Sequence, residues 1–130
     1  MNPDASTVQQ PTWQPEVLQE LRQQLGDEQG VMIAEIAALY LSQATDLLDK
    51  LSVAVGDPDT SQLTELAHAL KGSTLTVGGA RLAVLCQRIE LGAYAEHQLG
   101  EAVQSVRDEF GVLAAAISSY FNLQVRSSRG

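Results

Sequence analysis

The distribution of proline limits what this chain can fold into more than any other feature. Its four prolines all lie in the first half of the chain: Pro3, Pro11, Pro15 and Pro58. Because proline breaks helix interiors, the stretches 16–57 and 59–130 can form long helices. Apolar residues recur in them at steps of three and four, the spacing of one helix face. Only 5% of the residues are aromatic, fewer than a β-sandwich is expected to carry. The sequence therefore predicts an all-α protein.

Five helices are predicted, at 15–25, 28–55, 61–77, 81–94 and 100–123. Four long amphipathic helices with short connections pack most simply as an antiparallel up-down-up-down four-helix bundle, here with a short extra N-terminal helix. Residues 13–125 are expected to form this domain. The polar, proline-containing residues 1–12 are expected to be a flexible tail, and residues 126–130 a frayed C-terminus.

Charge and composition exclude several classes of function. Eight Lys and Arg against sixteen Asp and Glu give a net charge of -8, which disfavours both nucleic acid and anionic membranes as partners. One cysteine cannot form an internal disulfide, and one cysteine with two histidines falls short of a zinc site built from those residues alone. No apolar run approaches the roughly 18 residues of a membrane-spanning helix. We expect a soluble, cytoplasmic, monomeric single domain.

The third predicted helix contains one polar residue of chemical interest, His68. Five apolar side chains of this helix share one arc with Thr74, and this arc must face the core. They are Leu63, Leu66, Ala67, Leu70 and Val77. At about 100° per residue, His68 lies roughly 150° from the centre of that arc, on the solvent side. An exposed neutral imidazole is a nitrogen nucleophile. Lys71 supplies a cation one turn later, and Gly72, which costs a helix interior about 1 kcal/mol, leaves the ring open to another molecule. From these residues alone, His68 is either a nucleophile or an incidental surface histidine.

A longer motif surrounds His68. The run Ala67-His68-Ala69-Leu70-Lys71-Gly72-Ser73, followed by Val77-Gly78-Gly79-Ala80, resembles the active-site signature of histidine-containing phosphotransfer (HPt) domains. Leu82, Leu85, Cys86 and Glu90 fit the continuation of that pattern. Upstream, Leu39-Tyr40-Leu41 and Leu47-Leu48-Leu51 are similar to the preceding helix of the family, where Phe is commoner than Tyr at position 40. The resemblance covers about residues 16–122.

The resemblance implies a role for each residue of the motif. His68 would accept a phosphoryl group on its outer ring nitrogen from a phospho-aspartate of a receiver domain, and pass it to the aspartate of another receiver. Lys71 would stabilise the phosphate, Gly72 would give the receiver room, and Ser73 would support the local helix. Such domains have no ATP site or metal of their own, because the receiver contributes the Mg²⁺. The chain would then be a phosphocarrier and not an enzyme.

The docking surface for the receiver is predicted around the same helix face. Leu75, whose phase exposes a large apolar group, is the leading candidate, and Thr64 and Glu65 flank the histidine from the other direction. Burial of Leu75 by the helix terminus or a nearby loop remains an open alternative.

Other residues receive simpler interpretations. His97 is predicted to be a surface histidine in the connection before the last helix, and Cys86 a small core residue. Trp13 is expected to cover one end of the bundle. Glu90 and Glu96 could be half of a carboxylate metal site, but the chain lacks the two Glu-x-x-His pairs that a di-iron pattern of the bundle type requires.

Two other interpretations of the whole chain remain open. The bundle could be a non-catalytic adaptor that binds and regulates a receiver or another protein without phosphotransfer. It could also be one module cut from a larger hybrid sensor kinase.

Overall fold

The structure of the chain, a computed structural model, describes residues 8–129, with side chains described as far as Asn122. This part of the chain has five α-helices: α1 (Pro15–Leu25), α2 (Val31–Ala54), α3 (Ser61–Val77), α4 (Ala80–Glu90) and α5 (Leu99–Arg129). A 3₁₀ turn, Glu96–Gln98, precedes α5. Since the described residues contain no strand, the all-α prediction is confirmed for them.

The helices enclose one hydrophobic core. Each of α2, α3 and α4 packs against the next helix in sequence, α5 also returns to α2, and α1 lies against α2 and α3. The predicted apolar arc of α3 does face the core, where all its members except the half-buried Leu66 are fully buried. The opposite face of α3 is therefore presented to solvent.

The core contains one buried polar pair. The hydroxyl groups of Tyr40 on α2 and Thr74 on α3 lie 2.7 Å apart and form a hydrogen bond. The Tyr40 ring also meets Phe110 of α5 edge-on, with centroids 6.2 Å apart. Burial raises the pKa of the Tyr40 phenol above its usual value, so this side chain stays neutral and links α2 to α3 and α5.

Three helix boundaries differ by three or more residues from those predicted. α2 begins at Val31 and not at residue 28, because Gly30 adopts a left-handed conformation (φ 75°) and the Asp27 carboxylate accepts a hydrogen bond from the Ile33 amide at 3.0 Å. α4 ends at Glu90 and not at residue 94, since Gly92 at φ 71° reverses the chain. The backbone of α5 remains helical as far as Arg129, so it includes most of the segment expected to fray.

Residues 8–12, predicted to belong to a flexible tail, instead pack against the bundle. The Val8 side chain is 7% exposed, and the carbonyls of Gln10 and Pro11 each accept a hydrogen bond from Arg81 at 3.0 Å. The tail prediction was wrong for this segment because its partners lie about seventy positions away in the sequence. Residues 1–7 and 130 lie outside the described residues.

Trp13 and Gln14 continue this segment across the end of α3. The Trp13 indole donates to the Val77 carbonyl at 2.8 Å, and the Gln14 amide donates to the Gly78 carbonyl at 2.9 Å. Gly78 has φ 91°, and a Cβ atom there would collide with the Gln14 backbone. Trp13 therefore covers one end of the helical domain, as expected.

Helix α2 is long and apolar enough to cross a membrane by length and composition alone, with a mean hydropathy of 1.3. The expectation that no uninterrupted apolar run reaches this length still holds, because Glu35, Asp46 and the polar residues between Leu41 and Asp46 interrupt the helix. One face of α2 is buried in the core, and the core helix of a soluble protein passes the same test.

Candidate functional site

His68 lies on the solvent-facing side of α3, as its helical phase predicts. Its side chain is 67% exposed. The neighbours Ala67 and Leu70 are fully buried, so they anchor this turn of the helix while the imidazole points outward. An exposed ring on a fixed backbone is accessible to a second protein molecule.

A carboxylate on the neighbouring helix holds one nitrogen of this ring. The Nδ1 atom of His68 lies 2.7 Å from Oε2 of Glu90, at the C-terminal end of α4. Because an ionised carboxylate only accepts hydrogen bonds, the proton of the neutral ring resides on Nδ1. The lone pair of the imidazole is therefore on Nε2, the nitrogen available for reaction with an incoming group.

The same carboxylate also binds a lysine. Nζ of Lys71 lies 2.6 Å from Oε1 of Glu90, and both side chains are about one-fifth exposed, at 22% and 18%. The hydrogen bond from Lys71 and the weaker effect of the one from His68 hold the pKa of Glu90 below its usual value. Glu90 is therefore a carboxylate at neutral pH, and its two oxygens link the His68 ring to the Lys71 ammonium group.

Cys86 lies one turn before Glu90 on α4 and is fully buried. Burial, with a smaller contribution from the charge of Glu90, raises the pKa of the Cys86 thiol to about 12. The residue is thus a neutral core side chain, in agreement with its interpretation from sequence.

Gly72 and Ser73 complete the motif, but neither contacts His68 through a described hydrogen bond. A Cβ atom at position 72 would meet nothing within 4 Å, so no contact in the described part of the chain requires glycine there. The Ser73 hydroxyl donates to the carbonyls of Ala69 and Leu70 at 3.3 and 3.2 Å, which satisfies it within its own helix.

The three residues predicted to contact a partner all lie at the surface of α3. The Leu75 side chain is 53% exposed, so neither the helix end nor a loop buries it. Glu65 is exposed, and Thr64 is half-buried with its hydroxyl bonded to the Thr60 carbonyl at 3.1 Å. His97 lies exposed in the 3₁₀ turn.

Glu90 is the residue whose contacts the sequence analysis missed. It was placed in the continuation of the motif and weighed as a metal ligand, but no contact with His68 was predicted. The sequence did contain a signal for a contact of Glu90. This residue follows Cys86 by four positions, so it lies beside the buried face of α4. A carboxylate at the edge of a buried stripe requires a polar partner.

Several known proteins resemble this chain in sequence. The Hpt domain family model matches residues 35–119. Histidine-containing phosphotransfer protein 2 of Arabidopsis thaliana is 27% identical over 110 residues, which cover 81% of this chain and 70% of that protein. Protein 5 of the same plant is 26% identical over 97 residues, 71% of this chain and 62% of the relative.

Two solved structures share the fold. Histidine-containing phosphotransfer protein B of Pseudomonas aeruginosa superposes with a TM-score of 0.75 at 20% identity, covering 89% of this chain and 96% of that one. The maize histidine-containing phosphotransfer protein ZmHP2 gives a TM-score of 0.70 at 23% identity, covering 84% and 86%.

Proteins of this family are phosphocarriers without kinase activity and are generally soluble, and they work with the receiver domains of response regulators. The family and its relatives support a role in a phosphorelay. Because the family model covers well over half of the sequence, the chain belongs to the Hpt domain family.

Proposed function

We propose that this protein is a phosphorelay intermediate that takes a phosphoryl group from the aspartate of one receiver domain and gives it to the aspartate of another. The observation that carries the proposal is the state of His68: Nδ1 is held by Glu90 at 2.7 Å while the ring remains 67% exposed. This arrangement places a lone pair on Nε2 of an accessible imidazole.

The transfer exchanges one bond to phosphorus for another in each of its two halves. The Nε2 lone pair attacks the phosphorus of a receiver's aspartyl phosphate, a bond from nitrogen to phosphorus forms, and the phosphorus–oxygen bond to the aspartate breaks. The receiver's carboxylate leaves with the bonding electron pair. In the second half, a carboxylate of another receiver attacks the same phosphorus, and His68 is released. In this proposal the receiver supplies the Mg²⁺, and the chain needs no ATP site or metal of its own.

Lys71 and Gly72 assist this exchange in different ways. The Lys71 ammonium lies one turn from His68, so it can meet the negative charge of the transferred group. The open space at Gly72 lets the receiver's loops approach the ring. Ser73, bonded within its own helix, supports the turn that carries both residues.

The docking surface for the receiver combines His68 and Gly72 with the half-buried Thr64 and the exposed side chains of Glu65 and Leu75. Leu75 contributes an apolar side chain that is exposed to water in the free protein and that a docked receiver would cover. The protein is a cytoplasmic monomer in this proposal. Its four long helices form an antiparallel up-down-up-down bundle, which the short connections between them favour.

A phosphotransfer assay with His68→Gln tests the proposal. A purified receiver domain, phosphorylated with acetyl phosphate in the presence of Mg²⁺, is mixed with the protein. We expect an acid-labile, base-stable label that is lost in His68→Gln. The matched control is His97→Gln, which removes the other histidine and should keep the label. The variant His68→Gln should unfold close to the parent's temperature, because the side chain is 67% exposed and its one described partner is Glu90.

The same assay also distinguishes phosphotransfer from the alternative functions. A label that persists in His68→Gln would place the acceptor elsewhere. Receivers that bind without transferring any phosphate would instead favour an adaptor that regulates its partner by occupancy.

A further inference from the structure

A small cavity lies between α4, α5 and the segment that precedes α1. Its volume is about 240 Å³. A molecule of liquid water occupies roughly 30 Å³, so the cavity has room for about eight non-hydrogen atoms. The α5 residues in its wall recur at steps of three and four, which places them on one face of that helix. Its described lining residues include Val8, Arg81, Leu85, Asp108, Glu109 and Val112, and none of them belongs to α3, the helix of His68.

Glu109 brings to this wall a carboxylate with an oxygen that has no partner. Its Oε2 atom is buried, and no hydrogen bond reaches it. An ionised carboxylate only accepts hydrogen bonds, and an oxygen buried without a donor lowers the stability of the protein. A ligand that carries N–H donors would supply the missing hydrogen bond. The unpartnered oxygen therefore indicates which kind of group the cavity would bind.

Arg81 is the one cation among the described lining residues, and it binds the segment before α1. Its Nε atom donates to the Gln10 carbonyl and its backbone amide donates to the Pro11 carbonyl, both at 3.0 Å. Among the described residues no ion pair joins Arg81 to Asp108 or Glu109. Two carboxylates and one guanidinium group leave the described wall with a net negative charge, which favours a cationic ligand.

The remaining side chains of the wall are apolar. Leu85 and Val8 are each 7% exposed, whereas Val112 is 56% exposed and so borders the solvent. Sites for small molecules combine apolar walls of this kind with a few polar groups that fix the orientation of the ligand. The apolar side chains suit a short hydrocarbon chain, and the carboxylates suit a cationic group at its end.

We propose that this cavity binds a small organic cation, a primary ammonium group on a short hydrocarbon chain. The ammonium group donates to Oε2 of Glu109 and is attracted by the neighbouring carboxylate of Asp108. The hydrocarbon chain packs against Leu85 and Val112. This site is independent of the function proposed above, because no described lining residue takes part in the phosphotransfer or in the docking surface of the receiver.

Titration with isopentylamine tests the proposal. This amine is a cation at neutral pH and is small enough for the cavity. Protein labelled with ¹⁵N is titrated at constant pH and ionic strength while the backbone amide signals are followed by NMR. We expect saturable shifts centred on residues 81–85 and 105–112, with a dissociation constant of about 1 mM. Isopentanol has the same hydrocarbon chain without the charge, and it should bind about tenfold more weakly.

The variant Glu109→Gln tests the assigned oxygen. Its amide group is uncharged, so the variant should bind isopentylamine about tenfold more weakly than the parent. It should unfold at a temperature no lower than the parent's, because the Oε2 atom has no hydrogen bond to lose. The matched control is Glu101→Gln, which removes an exposed carboxylate from the first turn of α5. This control should bind the amine as the parent does.

Three results would overturn this inference. Without saturable shifts in the parent, the cavity would have no ligand of this class. Equal affinities for isopentylamine and isopentanol, or for the parent and Glu109→Gln, would mean that the carboxylate does not select a cation. A melting temperature several degrees lower in Glu109→Gln would show that Glu109 is already paired within the protein, with Arg81 as the available partner. None of these results bears on His68, because the phosphotransfer assay tests that function separately.

Discussion

At the scale of single residues, Lys71 provides a cation one turn from His68 on α3. In the structure its ammonium group is bound to the carboxylate of Glu90. A phosphoryl group on Nε2 would give the lysine a second anionic partner with more charge. Replacement by alanine removes a charged hydrogen bond of this kind, which is worth about 1.5 kcal/mol at an accessible site. We therefore expect Lys71→Ala to accept phosphate about tenfold more slowly than the parent. The rate is measured by rapid quench-flow with a phosphorylated receiver.

Lys50→Ala is the control for this prediction, because Lys50 is exposed on α2 and belongs to none of the described site contacts. It should transfer at the parent's rate. If Lys71→Ala also did so, Lys71 would have no part in the reaction.

At the scale of the helix, Gly72 opposes the stability of α3. A glycine in a helix interior costs about 1 kcal/mol relative to alanine, and a Cβ atom at this position would meet nothing within 4 Å. Gly72→Ala should therefore raise the melting temperature by about 4 °C. The added methyl group would crowd a docked receiver, so transfer should slow by about fivefold, the result of about 1 kcal/mol of overpacking.

Gly111 of α5 provides a matched comparison. It also lies inside a helix with open space where its Cβ atom would be. Gly111→Ala should gain the same stability, measured by thermal unfolding, and transfer phosphate normally. Equal transfer rates for both variants would mean that glycine at position 72 serves no partner.

The helices also show which features a sequence can predict. The exposure of His68 follows from the period of α3 alone, because it lies opposite the apolar arc of that helix. The period also favours exposure of Leu75, but only the structure shows that neither the helix end nor a loop covers it. The contact between His68 and Glu90 spans 22 positions and two helices, so it depends on how α3 packs against α4. The end of α4 was missed for a local reason, since only the backbone conformation of Gly92 reveals that the chain turns there.

At the scale of the whole molecule, the segment before α1 connects parts of the chain that lie far apart in sequence. Trp13 donates to the carbonyl at the end of α3 and meets Tyr120 of α5 edge-on, with centroids 5.2 Å apart. The segment thus restrains the turn between α3 and α4 from outside the core. None of these contacts involves His68, which lies nine residues before Val77, about 13 Å along the helix axis.

Two substitutions of Trp13 separate its hydrogen bond from its packing. Trp13→Phe keeps an aromatic ring but removes the donor to Val77, and should lower the free energy of unfolding by about 1 kcal/mol. Trp13→Ala also removes the ring contact with Tyr120, and should cost about 3 kcal/mol. Urea unfolding measures both losses, and the phosphotransfer rate of each folded variant should equal that of the parent. A change in that rate without a change in stability would show that Trp13 affects the reactivity of His68. The described contacts indicate the opposite, that Trp13 stabilises the fold and takes no part in phosphotransfer.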